Sequence, residues 1–166
     1  MVSFNGRKIK YEEGKLWLWR ELKSKPSYWL ELKGTITNTG YRQVRINYKH
    51  LQYHRVVYFV HNENWNIYDS SMDNQIDHID RNPLNNNIEN LRVVTNQENG
   101  WNQYAKGYCF DKEKGNYRAQ IKVDGKNIYL GYFENEDDAR TAYLNAKAIH
   151  HVIECSTVLL RFELLE

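Results

Sequence analysis

The sequence predicts an α+β protein built from small antiparallel sheets and a few short helices. Three observations lead there. Apolar and polar residues alternate through 41–51 and again through 109–133, two-residue turn signals divide the second stretch into strands, and apolar residues recur at three- and four-residue intervals in 134–151. At 166 residues the chain has room for one medium domain or two to three small modules, since domains run from about 50 to 250 residues. Thirteen Tyr, five Trp and five Phe supply much of the apolar surface, so large rings with polar tips must fill the cores.

The N-terminal stretch, 1–50, is expected to be a basic, β-rich module. Residues 1–60 hold 12 Lys and Arg against 4 Asp and Glu, whereas 61–166 hold 11 against 17, so a net +8 and a net −6 give the overall +2. A basic third attracts phosphates through counterion release, and later acidic residues can hold a cation. From Trp17 to Val60 the pattern is strand-like. In GYRQVRINYKHLQ, Tyr41, Val44, Ile46 and Leu51 are separated by charged or polar residues, and Asn47-Tyr48-Lys49-His50 supplies a turn. His54–Val60 is apolar apart from Arg55, and periodicity does not distinguish a short helix from a buried strand there.

Residues 61–75 are polar and without pattern, hence a loop. Gln75–Ile79 is a brief strand, DRNPLNNN a structured loop rich in turn formers, and Ile88–Val94 a second strand. Thr95-Asn96-Gln97-Glu98 fits the S/T-x-x-E capping box, so a helix begins after Thr95 and continues to about Tyr104. Beyond Lys106, three strands in 109–133 are divided by Lys114-Gly115 and by Asp124-Gly125, the second a strong hairpin signal. Glu134–His151 follows as an amphipathic helix with Ala139, Ala142, Tyr143, Ala146 and Ile149 on one face, and 152–166 is a tail.

Two cysteines, Cys109 and Cys155, are too few for a disulfide framework or a four-ligand zinc site. No apolar run is long enough to span a bilayer, and the first residues do not resemble a signal peptide. The expectation is a soluble intracellular protein.

The chemistry concentrates between Asp77 and Asn99. Asp77 offers a hard carboxylate oxygen, Asn99 an amide oxygen from the first turn of the capped helix, and His78 a base that works near neutral pH. These groups suit phosphodiester hydrolysis assisted by a magnesium-like cation. Adjacent side chains on a strand point to opposite sides, so Asp77 and His78 share a site only where the strand ends or bends. Asn85, Asn86 and Asn87 are expected as turn residues, and an isolated histidine elsewhere as a packing residue.

The segment DHIDRNPLNNNIENLRVVTNQEN resembles the HNH nuclease motif, the ββα-metal fold, in its phage and intron homing-endonuclease form. GYRQVRI and HRVVYF resemble that family's lead-in. The resemblance implies a nuclease core over 51–105 with Asp77 and Asn99 as metal ligands, His78 as general base and Asn90 as the catalytic-site asparagine that fixes the loop. It further implies a divalent metal, Mg2+ first and Mn2+ second, and double-stranded DNA as partner, cut by a monomer one strand at a time or by a dimer on both. In a phage-encoded enzyme the host cytoplasm is the place of action.

Residues 106–151, with GY, YRAQI, IYLGYF and DARTAYLNA, resemble the ethylene-response-factor (AP-two) DNA-binding domain, whose three-stranded sheet enters the major groove. That resemblance, with the basic residues of the lead-in, implies DNA contacts from Arg118, Lys122, Lys126, Tyr129 and Lys106, and from Arg42, Arg45 and Arg55. His54, beside Arg55, has a phosphate contact or a packing role open to it. The rival function is a non-catalytic DNA-binding regulator that keeps the nuclease fold as a scaffold.

Overall fold

The computed structural model describes residues 1–153 and shows an α+β protein in two compact units, Met1–Asn99 and the described residues from Gly100 onward. Of the expected tail, 152–166, residues 154–166 lie outside the described residues.

The first unit opens with a four-stranded antiparallel meander, β1 (Val2–Phe4), β2 (Arg7–Glu12), β3 (Lys15–Arg20) and β4 (Tyr28–Glu31). Its first two turns, Asn5-Gly6 and Glu13-Gly14, hold both residues at positive φ, as two-residue hairpins matching the strand twist require. This sheet starts well before Trp17, where strand patterning was expected to begin. The pattern before Trp17 is obscured because Lys8, Lys10, Glu12 and Lys15 occupy its wet side, leaving only one or two apolar residues per strand. A second meander follows, β5 (Thr35–Ile36), β6 (Arg42–Ile46) and β7 (Lys49–Gln52). Asn47 and Tyr48 form its tight turn at φ 48° and 66°, so Lys49 and His50 belong to β7 and not to the turn.

The ambiguous segment is a helix, α1 (Tyr53–His61). Tyr53, Val56 and Val57 lie buried at helical spacing, which a strand with period two could not place on one side. One core joins Phe4, Ile9, Leu16 and Leu18 of the first sheet, Val44 and Ile46 of β6, these α1 residues, Ile76 and Leu91. The Leu16 amide also donates to the Tyr53 hydroxyl at 3.0 Å. Residues 1–50 therefore share their hydrophobic core with the segment carrying the nuclease motif.

Next come β8 (Gln75–His78), a loop ending in a 3₁₀ turn at Ile88–Asn90, β9 (Leu91–Val94) and α2 (Asn96–Asn102). β8 and β9 pair antiparallel, with Asp77 opposite Arg92 and His78 opposite Leu91. The capping box is formed in full: the Glu98 amide donates to Thr95 Oγ1 at 3.1 Å, and the Thr95 amide donates to Glu98 Oε2 at 2.7 Å.

In the second unit, β10 (Tyr108–Asp111), β11 (Asn116–Val123) and β12 (Lys126–Phe133) form an antiparallel sheet backed by α3 (Glu136–His150). Ile121, Tyr143 and Ala146 are its buried centre. The Asn135 side chain caps α3 by accepting from the Asp138 amide at 2.9 Å. Gly107 sits at φ +81°, and a Cβ there would lie 2.0 Å from the Tyr143 ring, so only glycine permits this approach.

Candidate active site

β8 ends at His78, and the chain turns at once: the Arg81 amide donates to the His78 carbonyl at 2.8 Å, with Arg81 itself at φ 63°. The expected break in the strand is present at this position. Asp77 and His78 are both buried, each 5% exposed.

The loop beyond is held by side chains substituting for backbone partners. Asp80 is its hub, its carboxylate accepting from the Asn82 amide at 2.8 Å, from Asn85 Nδ2 at 2.7 Å and from Asn90 Nδ2 at 2.9 Å. Those donors, Asn85 first, hold the Asp80 carboxyl below its usual range. Asn90 also donates to the Asn85 carbonyl at 2.8 Å and accepts from the Asp80 amide at 3.0 Å. Its side chain thus closes the loop on both sides.

Asn86 is the residue sequence reasoning missed. It is buried, and its Oδ1 lies 3.1 Å from His78 Nε2. Asn86 Nδ2 donates to the Leu84 carbonyl at 3.1 Å. A carbonyl can only accept, so the amide nitrogen must face Leu84 and the amide oxygen must face the imidazole. His78 Nε2 therefore carries a proton and donates to Asn86. A run of three asparagines in a turn-rich loop gives no local sign of which one turns inward.

Two further partners come from outside the motif's expected set. Arg92, directly across the ladder, donates Nε and Nη2 to Asp77 Oδ2 at 2.9 and 2.7 Å. His54, from the first turn of α1, stands with its ring centroid 5.1 Å from that of His78 and nearly perpendicular to it, at 81°. Burial first, then coulombic interaction with His78 and Arg55, pull the His54 pKa down to about 3. Tyr41 completes the cluster, 5.5 Å from His54 and 6.0 Å from His78. Asn99 lies in the first turn of α2, its amide donating to the Thr95 carbonyl at 2.9 Å.

The basic residues expected at DNA divide. Arg55 is turned to the protein: it donates to the carbonyls of Ile67, Asp69 and Asn74 and stacks 4.5 Å over Trp65. Its planar set of donors matches the cluster of loop carbonyls, which corrects its expected place at phosphate. Arg42 lies over the Tyr53 ring, whereas Arg45 is exposed beside Tyr48. In the second unit, Arg118, Lys122 and Tyr129 share one sheet face, because the register sets Tyr129 opposite Gln120 and Lys122 opposite Asn127. Lys126 pairs with Val123 and so falls on the other face. Arg118, expected to be exposed, is half-buried with Nη2 3.8 Å from Cys109 Sγ. Lys106 lies over Tyr108 and 3.5 Å from Glu136.

Among the described residues no helix is long and apolar enough to cross a membrane, and no cluster of three or more His, Cys, Asp or Glu is arranged to hold a metal. No solved structure matches the chain. A curated relative, Protein 3.8 of Escherichia phage T7, is 39% identical over 59 residues, which cover 31% of this chain and 49% of that protein. The chain thus spans about half the length of this relative. The HNH endonuclease family model matches residues 69–101, the stretch containing β8, the asparagine loop, β9 and most of α2. Along that segment, ending ahead of the three-stranded sheet, this chain is similar to HNH endonucleases and carries a nuclease signature.

Proposed function

We propose that this protein is a metal-dependent, sequence-directed DNA endonuclease of the homing type that hydrolyses phosphodiester bonds with His78 as general base. The observation that carries the reading is the Asn86–His78 hydrogen bond. It places a proton on Nε2 and fixes the imidazole at the end of β8, which supports His78 as the group that takes a proton from attacking water. The bond also orients the ring, and burial keeps bulk water away from it.

Asp77 and Asn99 would each offer a hard oxygen donor to a cation such as Mg2+, which is commonly held by one or two protein groups with water and phosphate oxygens filling the rest. When bound, a divalent ion supplies Lewis-acid stabilisation of the leaving 3′ oxygen. Arg92 fixes the orientation of the Asp77 carboxylate through Oδ2. Asn90, through Asp80 and Asn85, maintains the loop that delivers Asn86. The products are a 5′ phosphate and a 3′ hydroxyl. With one such motif, a monomer nicks one strand of a duplex.

Target choice is assigned to the sheet face bearing Arg118, Lys122 and Tyr129, with Lys106 near its edge and Arg45 on the first unit. A two- or three-stranded sheet fits the major groove, and the exposed tyrosine adds a stacking surface. The domain plan that goes with this reading is a basic N-terminal module, a nuclease core to about residue 105 and a DNA reader over 106–151.

The Arg92–Asp77 pair favours a second reading, a DNA-binding regulator whose carboxylate serves only as an ion-pair partner. Supercoiled plasmid with and without Mg2+, comparing wild type with His78→Ala, separates the two. The nuclease reading expects Mg2+-dependent relaxation by the wild type and none by the variant. Tight DNA binding without relaxation would establish the regulator.

A further inference from the structure

Three of the chain's five tryptophans stand on the wet face of the first sheet. Leu16 and Leu18 of β3 enter the core, so alternation sends Trp17 and Trp19 to the opposite side. The ladder sets Trp29 of β4 opposite Trp19, and both Lys10 of β2 and Glu31 of β4 opposite Trp17. All three indoles are half-buried. The other face already gives the core Phe4, Ile9, Leu16 and Leu18, so closing the core does not call for these rings. A wet sheet face ordinarily carries polar side chains, and large aromatic ones bordered by charges mark a contact surface.

The rings are held in place, and the charge along the face is graded. Trp19 and Trp29 meet with centroids 5.2 Å apart at 58°, so they do not cover one another face to face. Trp17 Nε1 donates to the Glu12 carbonyl at 3.4 Å, which fixes that indole by its edge. Lys10 Nζ stands 5.0 Å over the Trp29 ring. Glu12 and Glu31 lie toward the Trp17 end, where Glu12 pairs with Lys10 at 2.5 Å. Toward the Trp19–Trp29 end come Lys8 and the β3–β4 connection with Lys23 and Lys25, all three exposed. Residues 1–31 hold seven Lys and Arg against four Glu, so the face presents an excess of positive charge.

Flat rings beside separate cations match a single nucleic-acid strand, whose bases are free to stack while its phosphates follow the lysines. A duplex keeps its base faces inside its own stack, beyond the reach of rings on a sheet. A second copy meeting this face about a two-fold axis would bring like charges together. We infer that the wet face of β2, β3 and β4 binds single-stranded DNA, with bases stacked on Trp17, Trp19 and Trp29 and phosphates held by Lys8, Lys10 and the lysines of the β3–β4 connection. The choice of DNA rests on the nuclease reading; the stacking does not.

The test is fluorescence anisotropy of labelled oligo(dT), oligo(U) and an oligo(dT)·oligo(dA) duplex with the full chain in EDTA, where binding is read without cleavage. Stacking on an aromatic side chain is worth about 5- to 150-fold in affinity, so Trp19→Leu and Trp29→Leu are each expected to weaken oligo(dT) binding by that factor and to leave duplex binding unchanged. Trp19→Phe, which keeps a flat ring, retains most of the affinity. Thermal unfolding establishes that each variant is folded at the temperature of the assay. Lys8→Gln/Lys10→Gln keeps every indole and serves even where a tryptophan variant does not fold. Each lost phosphate contact on a single strand lowers the slope of log affinity against log salt by about 0.7, so this double variant is expected to flatten it by about 1.4. Unchanged oligo(dT) binding in the leucine variants, equal losses on duplex, Trp19→Leu binding as well as Trp19→Phe, or an unchanged salt slope would each overturn the inference. Tighter binding of oligo(U) than of oligo(dT) would make this an RNA surface and overturn it too. So would a wild-type dimer in sedimentation that Trp19→Leu dissolves, since the rings would then face a second copy. Failure to bind oligo(dT) by a chain that relaxes plasmid with Mg2+ removes the surface alone, whereas the expected binding by a chain that relaxes none removes only the nuclease reading.

Discussion

Replacing His54 by Phe should remove a specific part of this protein's acid sensitivity. A histidine in an unfolded chain titrates near about 6.5. In the folded protein burial holds His54 down to about 3. Between those values the unfolded chain binds a proton that the native state refuses, so stability rises with pH across this window and is lost as pH falls through it. The maximum slope is about 1.4 kcal/mol per pH unit, and from pH 7 to pH 5 the penalty grows to about 2 kcal/mol. His54→Phe keeps the packed ring but has nothing to protonate. Urea unfolding at pH 7, 6 and 5, followed by tryptophan fluorescence, measures the difference, with four of the five tryptophans in the first unit. Other titrating groups act equally on both proteins, so the wild type should lose about 2 kcal/mol more than the variant between pH 7 and 5. Equal losses would mean that His54 protonates normally in the native state, and the account of its buried, neutral ring would fall.

Arg92→Ala leaves the Asp77 carboxylate, 6% exposed at its side chain, without its ion pair; thermal unfolding should show a loss of about 3 kcal/mol, and an unchanged melting temperature would show the pair to be dispensable. Asn86→Ala should slow DNA cleavage by about 10-fold or more, within the range of general-base contributions, while binding in a filter or anisotropy assay stays the same. A variant that cuts at the wild-type rate would remove Asn86 from the site. Gly107→Ala forces a Cβ against the buried Tyr143 ring at φ +81° and should destabilise the second unit by about 3 kcal/mol, measured by denaturation of that unit.

Local chemistry reached a long way into this protein. The capping box at Thr95–Glu98, the hairpin at Asp124-Gly125 and the strand, loop, strand, helix order around Asp77 and His78 are written within windows of a few residues, where turn dihedrals, caps and periodicity act. The segment His54–Val60 marks the limit of such windows: its apolar run suits helix and strand alike, and the core formed by Leu16, Val44 and Ile76 selects the helix by offering a surface for Tyr53, Val56 and Val57. The site shows the same division. The residues proposed for the chemistry, Asp77, His78, Asn90 and Asn99, are singled out by type and spacing along the chain, but the side chains that pair with Asp77 and His78 are not. Asn86 is one asparagine among three, Arg92 meets Asp77 through strand register, and His54 reaches His78 because α1 and β8 bury residues in one core. Arg55 offers the reverse case, a charge that suggests phosphate until the fold surrounds it with three carbonyls. Residue type and spacing specify which groups can do chemistry; the partners that place a proton, orient a carboxylate or silence a charge come together only when distant segments bury against one another.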